Sequence, residues 1–256
     1  MRVFRGRGKT IEADRAVSER MLDVAAEGEV SVRVWVPHRQ VAFGRRDARL
    51  AGYEPAQTAA RDRGFPPVER SVGGRAVAYD GETTIAFART EPIADFRRGA
   101  SERYERMTDD VSAALDNLGV DVVRGEPDDS FCPGTHSLST ASTGNNGGKL
   151  VGIAQRVTSE AALVSGVLVV DHEDELAAVL DPVYGALGVP FDSESMGSVV
   201  SATGPIDSKT VRTTLETALS GNRLTTVERI GRTGSRSRCV EDSTLERRNG
   251  DDDHLE

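Results

Sequence analysis

Residues 147–170 have the sequence GGKLVGIAQRVTSEAALVSGVLVV, and this stretch decides the fold class. The apolar residues at 150–153 predict one strand, and the nearly continuous apolar run at 161–170 predicts a second. The polar residues between them predict a hairpin turn. A strand that is apolar on both faces is typical of the middle of a sheet, so we predict that 161–170 is a central strand.

Helical and strand patterns alternate on both sides of this hairpin. Residues 101–118 predict a helix, with Ser101 as the N-cap and apolar side chains at helical spacing. Alternating valines over 30–36 predict a half-buried strand. Further strands are expected at 2–6, at 41–43, within 68–88 and at 121–123, and further helices at 13–26, 55–63, 173–185 and 207–219. We predict an α/β (α+β) fold with a mixed central β-sheet flanked by helices.

The periodic patterns favour one domain followed by a tail. Residues 1–221 are predicted to form that domain, in which 125–134 and 189–205 are expected to be loops. From residue 222 the chain is polar, charged and rich in glycine and serine. This composition predicts a flexible tail over 222–256.

Charge and hydropathy exclude several classes of protein. The 256 residues include 32 Lys and Arg against 41 Asp and Glu, a formal net charge of −9, which argues against non-specific binding to nucleic acid. No apolar run approaches the roughly 18 residues of a membrane span. The basic N-terminus is not followed by the apolar segment of a secretory signal. We therefore expect a cytoplasmic protein with neither nucleic acid nor membrane as a partner.

Lysine is scarce in this acidic chain. Lys9, Lys149 and Lys209 are its only lysines, and the remaining 29 basic residues are arginines. Such a halophilic-like composition is typical of cytosolic proteins from salt-loving organisms, and a genome that favours arginine codons explains it as well. Neither explanation indicates a function, but the scarcity draws attention to Lys149.

A glycine pair follows a predicted strand in the segment ERSVGGRAVAYDG at 69–81. Gly73 and Gly74 allow backbone N–H groups to approach a ligand closely. The neighbouring Arg70 and Arg75 are suited to a phosphate or a carboxylate. A simple turn between two strands is the commoner explanation of such a pair.

Lys149 and Cys132 are candidates for chemistry. The compact ammonium of Lys149 can reach a single oxygen atom or influence a neighbouring group, whereas a solvated lysine at a hairpin turn is the alternative. Cys132 lies in FCPGTHS at 131–137 and is expected to be partly exposed. A nucleophilic cysteine needs a nearby cation or base, such as Lys149 or His136. A small buried hydrophobic residue is the commoner role of a lone cysteine.

The histidines and cysteines do not predict a metal site or a disulfide framework. His38, His172 and His254 lack metal-ligand spacing with one another and with Cys132. Cys239 falls in the predicted tail and is assigned no role. We therefore expect no metal.

In this order, the segments resemble those of the lipoate-protein ligase and lipoyl/octanoyl transferase family. Arg70-Ser71-Val72-Gly73-Gly74-Arg75-Ala76-Val77, with Asp80, is similar to the family's Arg-x-x-Gly-Gly segment before an Ala-Val strand and an aspartate. Gly148-Lys149-Leu150-Val151-Gly152-Ile153-Ala154-Gln155-Arg156 is similar to its Gly-Lys-Lys/Arg-Ile/Val-x-Gly-x-Ala/Ser-Gln-Arg segment. The resemblance spans about residues 30–190, including a first hairpin with Trp35, Pro37, Val41, Gly44 and Arg45. It implies the fold of a biotin/lipoate protein ligase catalytic domain for residues 1–221.

Two branches of this family differ in their use of cysteine. Ligases activate free lipoate with ATP and Mg²⁺ and pass the acyl group from AMP to a lysine of a lipoyl domain. Transferases carry octanoate or lipoate on a cysteine and require no cofactor. Residues 132–139, CPGTHSLS, resemble the CPGSYDLS segment of transferases that move octanoyl groups between the glycine cleavage H protein and the lipoyl domains of 2-oxoacid dehydrogenases. The resemblance implies this octanoyltransferase, with an ATP-dependent lipoate-protein ligase or its catalytic subunit as the alternative.

The resemblance also implies roles for individual residues. Cys132 would form the acyl thioester, and Lys149 would favour the thiolate, hold the oxyanion and accept a proton from the incoming lysine. Small side chains at Ala76, Ala154 and Gly166 would leave room for an eight-carbon chain. The implied substrate-binding residues are Arg70, Ser71, Gly73, Gly74, Arg75, Ala76, Tyr79, Asp80, Gly152, Ile153, Ala154 and Gly166.

Some features depart from the family pattern or bear on the alternatives. Residues 141–146 indicate an additional loop before Gly147, and Gly148 stands where the family has its first lysine. Only one helix and a polar tail are predicted after residue 205, whereas single-chain ligases usually add a domain there. A non-catalytic carrier-binding module is a further alternative, against which the presence of both Cys132 and Lys149 argues. A biotin ligase shares the fold, but its Gly-Arg-Gly-Arg-x-Gly-Arg loop is absent from the sequence.

Overall fold

A computed structural model describes residues 1–141 and 147–231. In this part of the chain the strands are β1 Arg2–Arg5, β2 Ser31–Trp35, β3 Gln40–Phe43, β4 Pro67–Glu69, β5 Val77–Tyr79, β6 Ile85–Pro92, β7 Val122–Arg124, β8 Ser137–Thr140, β9 Lys149–Val157, β10 Ala161–Leu168 and β11 Thr226–Arg229. They form an eight-stranded mixed sheet of order β11-β1-β2-β6-β10-β9-β8-β7 and a three-stranded sheet of order β4-β3-β5. The predicted α/β class with a mixed central sheet is confirmed.

The described helices flank these sheets: α1 Ile11–Ala26, α2 Tyr53–Asp62, α3 Ala100–Asp116, α4 Glu173–Leu187, α5 Val199–Thr203 and α6 Ser208–Ser220. On one face of the larger sheet, α1 packs against β6 and β10. On the other face, α3 and α6 bury the main apolar core, which includes Phe87, Met107 and Val164. A second core, between α2, α4 and the smaller sheet, includes Phe43, Phe131 and Tyr184.

Strand β10 is central, as predicted. It pairs in antiparallel fashion with β6 on one side and with β9 on the other. Its alternate residues enter different layers, with Val164 in the core under α3 and α6 and Val167 in the core beside α4. Burial on both faces explains why its sequence is apolar without alternation.

The prediction that β2 is half buried is wrong. Besides its valines, Ser31 and Arg33 are fully buried. Arg33 Nη2 donates to Asp14 Oδ1 of α1 at 2.6 Å, and the hydroxyls of Ser31 and Thr90 are hydrogen-bonded at 2.6 Å. Helix α1 covers this face of β2, so the polar side chains of the strand are hydrogen-bonded to other protein groups rather than to water.

Several predicted boundaries also differ from the structure. α3 begins at Ala100 after Gly99, whose φ of +74° is left-handed, so Ser101 is not the N-cap. β8 was not predicted, and α5 interrupts the predicted loop at 189–205. Ser198 and Ser201 form a reciprocal capping box at the start of α5, which supplies the local signal for this short helix.

The predicted tail begins too early, because β11 extends the larger sheet beyond residue 222. It pairs in parallel with β1, and Glu228 on β11 contacts Arg2 and Arg20. A polar edge strand is difficult to distinguish from a tail by composition. Residues 142–146 of the predicted additional loop and 232–256, which include Cys239 and His254, lie outside the described residues.

Candidate active site

Cys132 lies in the loop between β7 and β8 with a left-handed backbone, φ +44°. This conformation is uncommon for a residue other than glycine and has to be maintained by the surrounding structure. Tyr184 of α4 provides one such contact: its hydroxyl accepts a hydrogen bond from the Cys132 N–H at 2.6 Å and donates to the Ala76 carbonyl at 2.9 Å. The tyrosine thereby joins the cysteine loop to the segment that precedes β5.

The sulfur of Cys132 faces the predicted glycine turn. Arg70 Nη2 donates to Sγ at 3.0 Å, and the Arg75 backbone N–H donates to Sγ at 3.3 Å. Gly74 makes this approach possible, because a Cβ at this position would lie 2.6 Å from Sγ. A cation and a backbone N–H are thus directed at the same sulfur, where they can stabilise negative charge that develops during a reaction.

Arg70 is tied to the same turn, since its Nη2 also donates to the Arg75 carbonyl at 2.6 Å. Burial opposes the guanidinium charge, but the charge of Cys132 and its hydrogen bond to Arg70 outweigh burial and raise the pKa of Arg70 above its ordinary value. Arg70 is therefore a cation at any physiological pH. For the neighbouring Tyr79 phenol, burial raises the pKa, and the phenol stays neutral.

A buried carboxylate positions Arg75. Asp47 is fully buried, accepts from Arg75 Nη1 at 3.2 Å and accepts from the Gly44 N–H at 2.9 Å. Gly44 is required here because a Cβ would lie 1.9 Å from the Gly74 carbonyl oxygen. The end of β3 and the glycine turn are thus packed backbone to backbone next to Cys132.

Lys149 is fully buried, but its hydrogen bonds go to groups other than the thiol. Its Nζ donates to Glu126 Oε2 at 2.5 Å, to the Phe131 carbonyl at 2.8 Å and to the Cys132 carbonyl at 3.0 Å. These three contacts use all three N–H groups of the ammonium. The lysine therefore holds the backbone of the cysteine, while Arg70 contacts its sulfur.

Burial lowers the pKa of Lys149, although the charges of Cys132 and Glu126 act in the opposite direction. Glu126 was not predicted as a site residue. It also accepts hydrogen bonds from the Gly134 N–H at 2.7 Å and from Ser137 Oγ at 2.7 Å. This carboxylate therefore fixes both ends of the loop that carries Cys132.

His136, the other candidate base, is placed elsewhere. Its ring stacks on Tyr104 of α3 with the centroids 4.0 Å apart. Within the described residues, no hydrogen bond joins it to Cys132.

An apolar cavity of about 160 Å³ opens beside Cys132. It lies between α1, the smaller sheet and the β6–β10–β9 region. Among the predicted site residues, those that border it are Arg70, Ser71, Tyr79, Cys132, Gly152, Ile153, Ala154 and Gly166. Its mouth carries polar groups, since Arg156 Nη1 donates to Ser71 Oγ at 3.1 Å and to Glu19 Oε1 of α1 at 2.6 Å.

The other predicted residues lie outside the cavity lining. Gly73, Gly74 and Arg75 form the turn at the sulfur, Ala76 is buried, and Lys149 lies behind the loop. Asp80 accepts hydrogen bonds from the backbone N–H groups of residues 82–84. Burial opposes its charge, but these bonds and the Thr83 hydroxyl lower the pKa of Asp80, which therefore stabilises the β5–β6 turn as a carboxylate.

Gly166 does not leave the expected space for an acyl chain. A Cβ at this position would lie 2.2 Å from Cζ of Phe87, so the aromatic ring occupies the space that the missing side chain leaves. Ala76 is fully buried away from the cavity. Ala154, the third small residue predicted to make room, borders the cavity.

In the ranges 1–141 and 147–231, no helix is both long enough and apolar enough to cross a membrane. Over the same ranges, no group of three or more His, Cys, Asp or Glu side chains is arranged to hold a metal ion.

Comparison with known proteins identifies the family. Residues 11–217 match the model of the lipoyl protein ligase A/B catalytic domain. The chain belongs to this family, which confirms the resemblance indicated by its motifs.

Among curated relatives, the chain is 32% identical over 135 residues to an octanoyl-GcvH:protein N-octanoyltransferase from Geobacillus kaustophilus. These residues make up 52% of this chain and 44% of the relative. It is 30% identical over 146 residues to a lipoyl-GcvH:protein N-lipoyltransferase from Listeria monocytogenes. This match covers 56% of this chain and 49% of the relative. The match thus spans about half the length of these relatives.

Two solved structures share the fold. The lipoic-acid-bound protein Ta0514 from T. acidophilum has a TM-score of 0.70 at 18% identity, covering 90% of this chain and 88% of the other. A lipoate-protein ligase A bound with ATP has a TM-score of 0.67 at 19% identity. This match covers 86% of this chain and 83% of the ligase chain.

Proposed function

We propose that this chain is an acyltransferase that moves an octanoyl or lipoyl group, through a thioester on Cys132, onto a specific lysine of a lipoyl domain. One observation carries the proposal: the sulfur of Cys132 is held by Arg70 and by the Arg75 N–H at the edge of an apolar cavity. The names of the curated relatives support the same activity for the half of their length that this chain matches.

The reaction takes two balanced steps. In the first, the Cys132 sulfur attacks the carbonyl carbon of an acylated donor lysine, the amide C–N bond breaks, and the thiol proton ends on the released amine. In the second, the acceptor lysine's amine attacks the thioester carbonyl, the C–S bond breaks, and the sulfur regains a proton from that amine. Neither step consumes ATP or requires a metal ion.

Each polar group at Cys132 has a separate task in this proposal. Arg70 and the Arg75 N–H stabilise the attacking thiolate and the thiolate that leaves in the second step. Lys149 and Glu126 position the cysteine loop.

The cavity is proposed to hold the acyl chain. Ile153, Ala154 and Gly152 supply one wall from β9, while Tyr79 and the stem of Arg70 lie towards the sulfur. Ser71 and Arg156 at the mouth are placed to contact the carrier protein. Gly73, Gly74, Arg75, Ala76 and Asp80 act indirectly, by shaping the segment that faces the sulfur.

The proposed partners are the glycine cleavage H protein, as donor, and lipoyl domains of 2-oxoacid dehydrogenase complexes, as acceptors. GcvH is part of the names of both curated relatives. The cytoplasmic location predicted from the sequence stays a prediction.

Transfer without ATP tests the proposal. Purified chain, octanoylated H protein and an unmodified lipoyl domain are mixed, and octanoylation of the lipoyl domain is measured by intact mass. We expect transfer by the wild type and by the matched cysteine control Cys239→Ser, and none by Cys132→Ala.

The second candidate is an ATP-dependent lipoate-protein ligase acting through lipoyl-AMP, favoured by the shared fold of the ATP-bound ligase. In that case free lipoate with ATP and Mg²⁺ would drive ATP–pyrophosphate exchange, and Cys132→Ala would retain activity. If both of these results were obtained and no transfer occurred without ATP, the transferase proposal would be overturned.

A further inference from the structure

A small second cavity lies on the opposite face of the larger sheet from the acyl cavity. Val164 of β10 borders the second cavity and Leu163 borders the first, and successive strand residues point to opposite faces. The second cavity has a volume of about 10 Å³ and lies between β6, β10 and α3. That volume suits a single water-sized occupant.

Buried guanidinium groups line this cavity. Arg89 is 8% exposed and Arg103 is 6% exposed, and both border it together with Glu91, Arg106 and Met107. Arg89 Nη2 is occupied by Asp110 at 2.5 Å and by the Leu219 carbonyl at 2.6 Å. Arg103 Nε donates to the neutral Gln155 side chain at 2.9 Å.

The remaining donors of these two arginines are unsatisfied. Within the described ranges, Nε and Nη1 of Arg89 and Nη2 of Arg103 are buried and have no hydrogen-bond partner. Each such donor in a native interior carries a penalty unless a ligand or water accepts from it. Two side chains that border one cavity thus carry three N–H-bearing atoms without a partner in the described residues.

The charges around the cavity do not balance. Arg89 is paired with Asp110, and Arg106 is paired with Glu91 at 2.8 Å near the surface. Arg103 has no carboxylate within salt-bridge distance among residues 1–141 and 147–231. Among the described residues the two carboxylates are paired with Arg89 and Arg106, which leaves the buried charge of Arg103 without a paired carboxylate.

We propose that this cavity is a binding site for a single monovalent halide ion, with chloride as its physiological occupant. A halide accepts several hydrogen bonds at once, fits a site for one small ligand and compensates the charge of Arg103. The ion would connect β6 to α3, and so act on the stability of the fold rather than on acyl transfer. An ion that binds the folded chain alone raises its stability with its own concentration.

The first experiment compares thermal unfolding of the wild type in sodium chloride and in sodium methanesulfonate, whose larger anion does not fit, at equal ionic strength. From about 10 mM to about 1 M salt, we expect Tm to rise by about 5 °C more in chloride than in methanesulfonate. Equal rises in the two salts would show a cavity that holds water, and would overturn the proposal.

Two variants assign the effect to this cavity. Arg103→Met should abolish the difference between the two salts, whereas the exposed control Arg98→Gln should preserve it. A difference that persists in a folded Arg103→Met variant would contradict the proposal. Should that variant not fold, crystals of the wild type in bromide decide: an anomalous peak between Arg89 and Arg103 supports the site, and a featureless cavity overturns it.

Discussion

Arg70 Nη2 lies 3.0 Å from the sulfur of Cys132, although 62 residues separate them in the chain. The lysine expected to activate the thiol instead holds the Cys132 carbonyl from the other side of the loop. Arg70 therefore contacts the sulfur of the cysteine, and Lys149 contacts its backbone carbonyl. The contacts around Cys132 lead to four predictions.

The first prediction concerns the reactivity of the thiol. Arg70→Gln removes the cation from Sγ, and a charge-assisted hydrogen bond of this kind contributes about 1.5–3 kcal/mol. Alkylation of Cys132 by iodoacetamide at pH 7 should therefore slow by about tenfold to hundredfold, because the thiolate is the reacting form. Peptide mapping by mass spectrometry measures the rate at Cys132, with the exposed Arg61→Gln as control. An unchanged rate would mean that Arg70 does not stabilise the thiolate.

The second prediction separates the two glycines of the turn. Gly74 has φ +99° and a Cβ there would meet Sγ at 2.6 Å, whereas a Cβ at Gly73 would have nothing within 4 Å. Gly74→Ala should displace Cys132 and reduce acyl transfer by about a hundredfold or more. Gly73→Ala should leave transfer within about twofold of wild type. Equal effects of the two substitutions would contradict the close packing of Gly74 on the sulfur.

The third prediction concerns the buried pair of Lys149 and Glu126. Lys149→Met leaves the Glu126 carboxylate without its cation, and breaking a pair in this way costs about 3–5 kcal/mol of unfolding free energy. The double variant Lys149→Met/Glu126→Leu should cost less than the sum of the two single variants, because no charge is left unpaired. Urea unfolding measures the free energy of unfolding of all three variants. Additive losses would show that the two side chains do not act as a pair.

The fourth prediction is a pH dependence. Burial, followed by the charge of Cys132, raises the pKa of Tyr184 well above its ordinary value. Above pH about 10 the unfolded chain releases this proton while the folded chain keeps it. The stability from this group is complete below pH about 10 and is lost as pH rises towards the folded-state pKa.

Tyr184→Phe removes this contribution. Urea unfolding between pH about 10 and about 11 should show a fall in stability that is shallower than in the wild type by up to about 1.4 kcal/mol per pH unit. At pH 8 the variant should be less stable by about 1–3 kcal/mol, because the Cys132 N–H and the Ala76 carbonyl lose their partner. Parallel curves above pH 10 would show that Tyr184 does not titrate in this way.

Much of the fold could be predicted from local pattern. The apolar run at 161–170 identified the central strand because burial on both faces removes the need for alternation. β2 shows the limit of this reasoning, since Arg33 has the spacing of a solvent-facing residue and is buried by a partner, Asp14, on another element. The edge strand β11 was missed because its polar sequence carries no burial signal.

The candidate site was only partly predictable for the same reason. The scarcity of lysine directed attention to Lys149, and the motifs directed it to Cys132 and to the glycine turn. Glu126 and Tyr184 carried no such signal, because their roles depend on contacts with residues 23 and 52 positions away, respectively. The charge of a buried lysine does require a partner, and an acidic residue in the loop before Cys132 was the one available clue.

The measurement that tests the central claim most directly is the mass of the chain after incubation with octanoylated H protein alone, without ATP or an acceptor. We expect one added octanoyl group, which peptide mapping places on Cys132 and which neutral hydroxylamine removes, as is typical of a thioester. Cys132→Ala should gain no octanoyl group, whereas Cys239→Ser should gain one. An octanoyl adduct of equal yield on Cys132→Ala, or on a residue other than Cys132, would contradict the account.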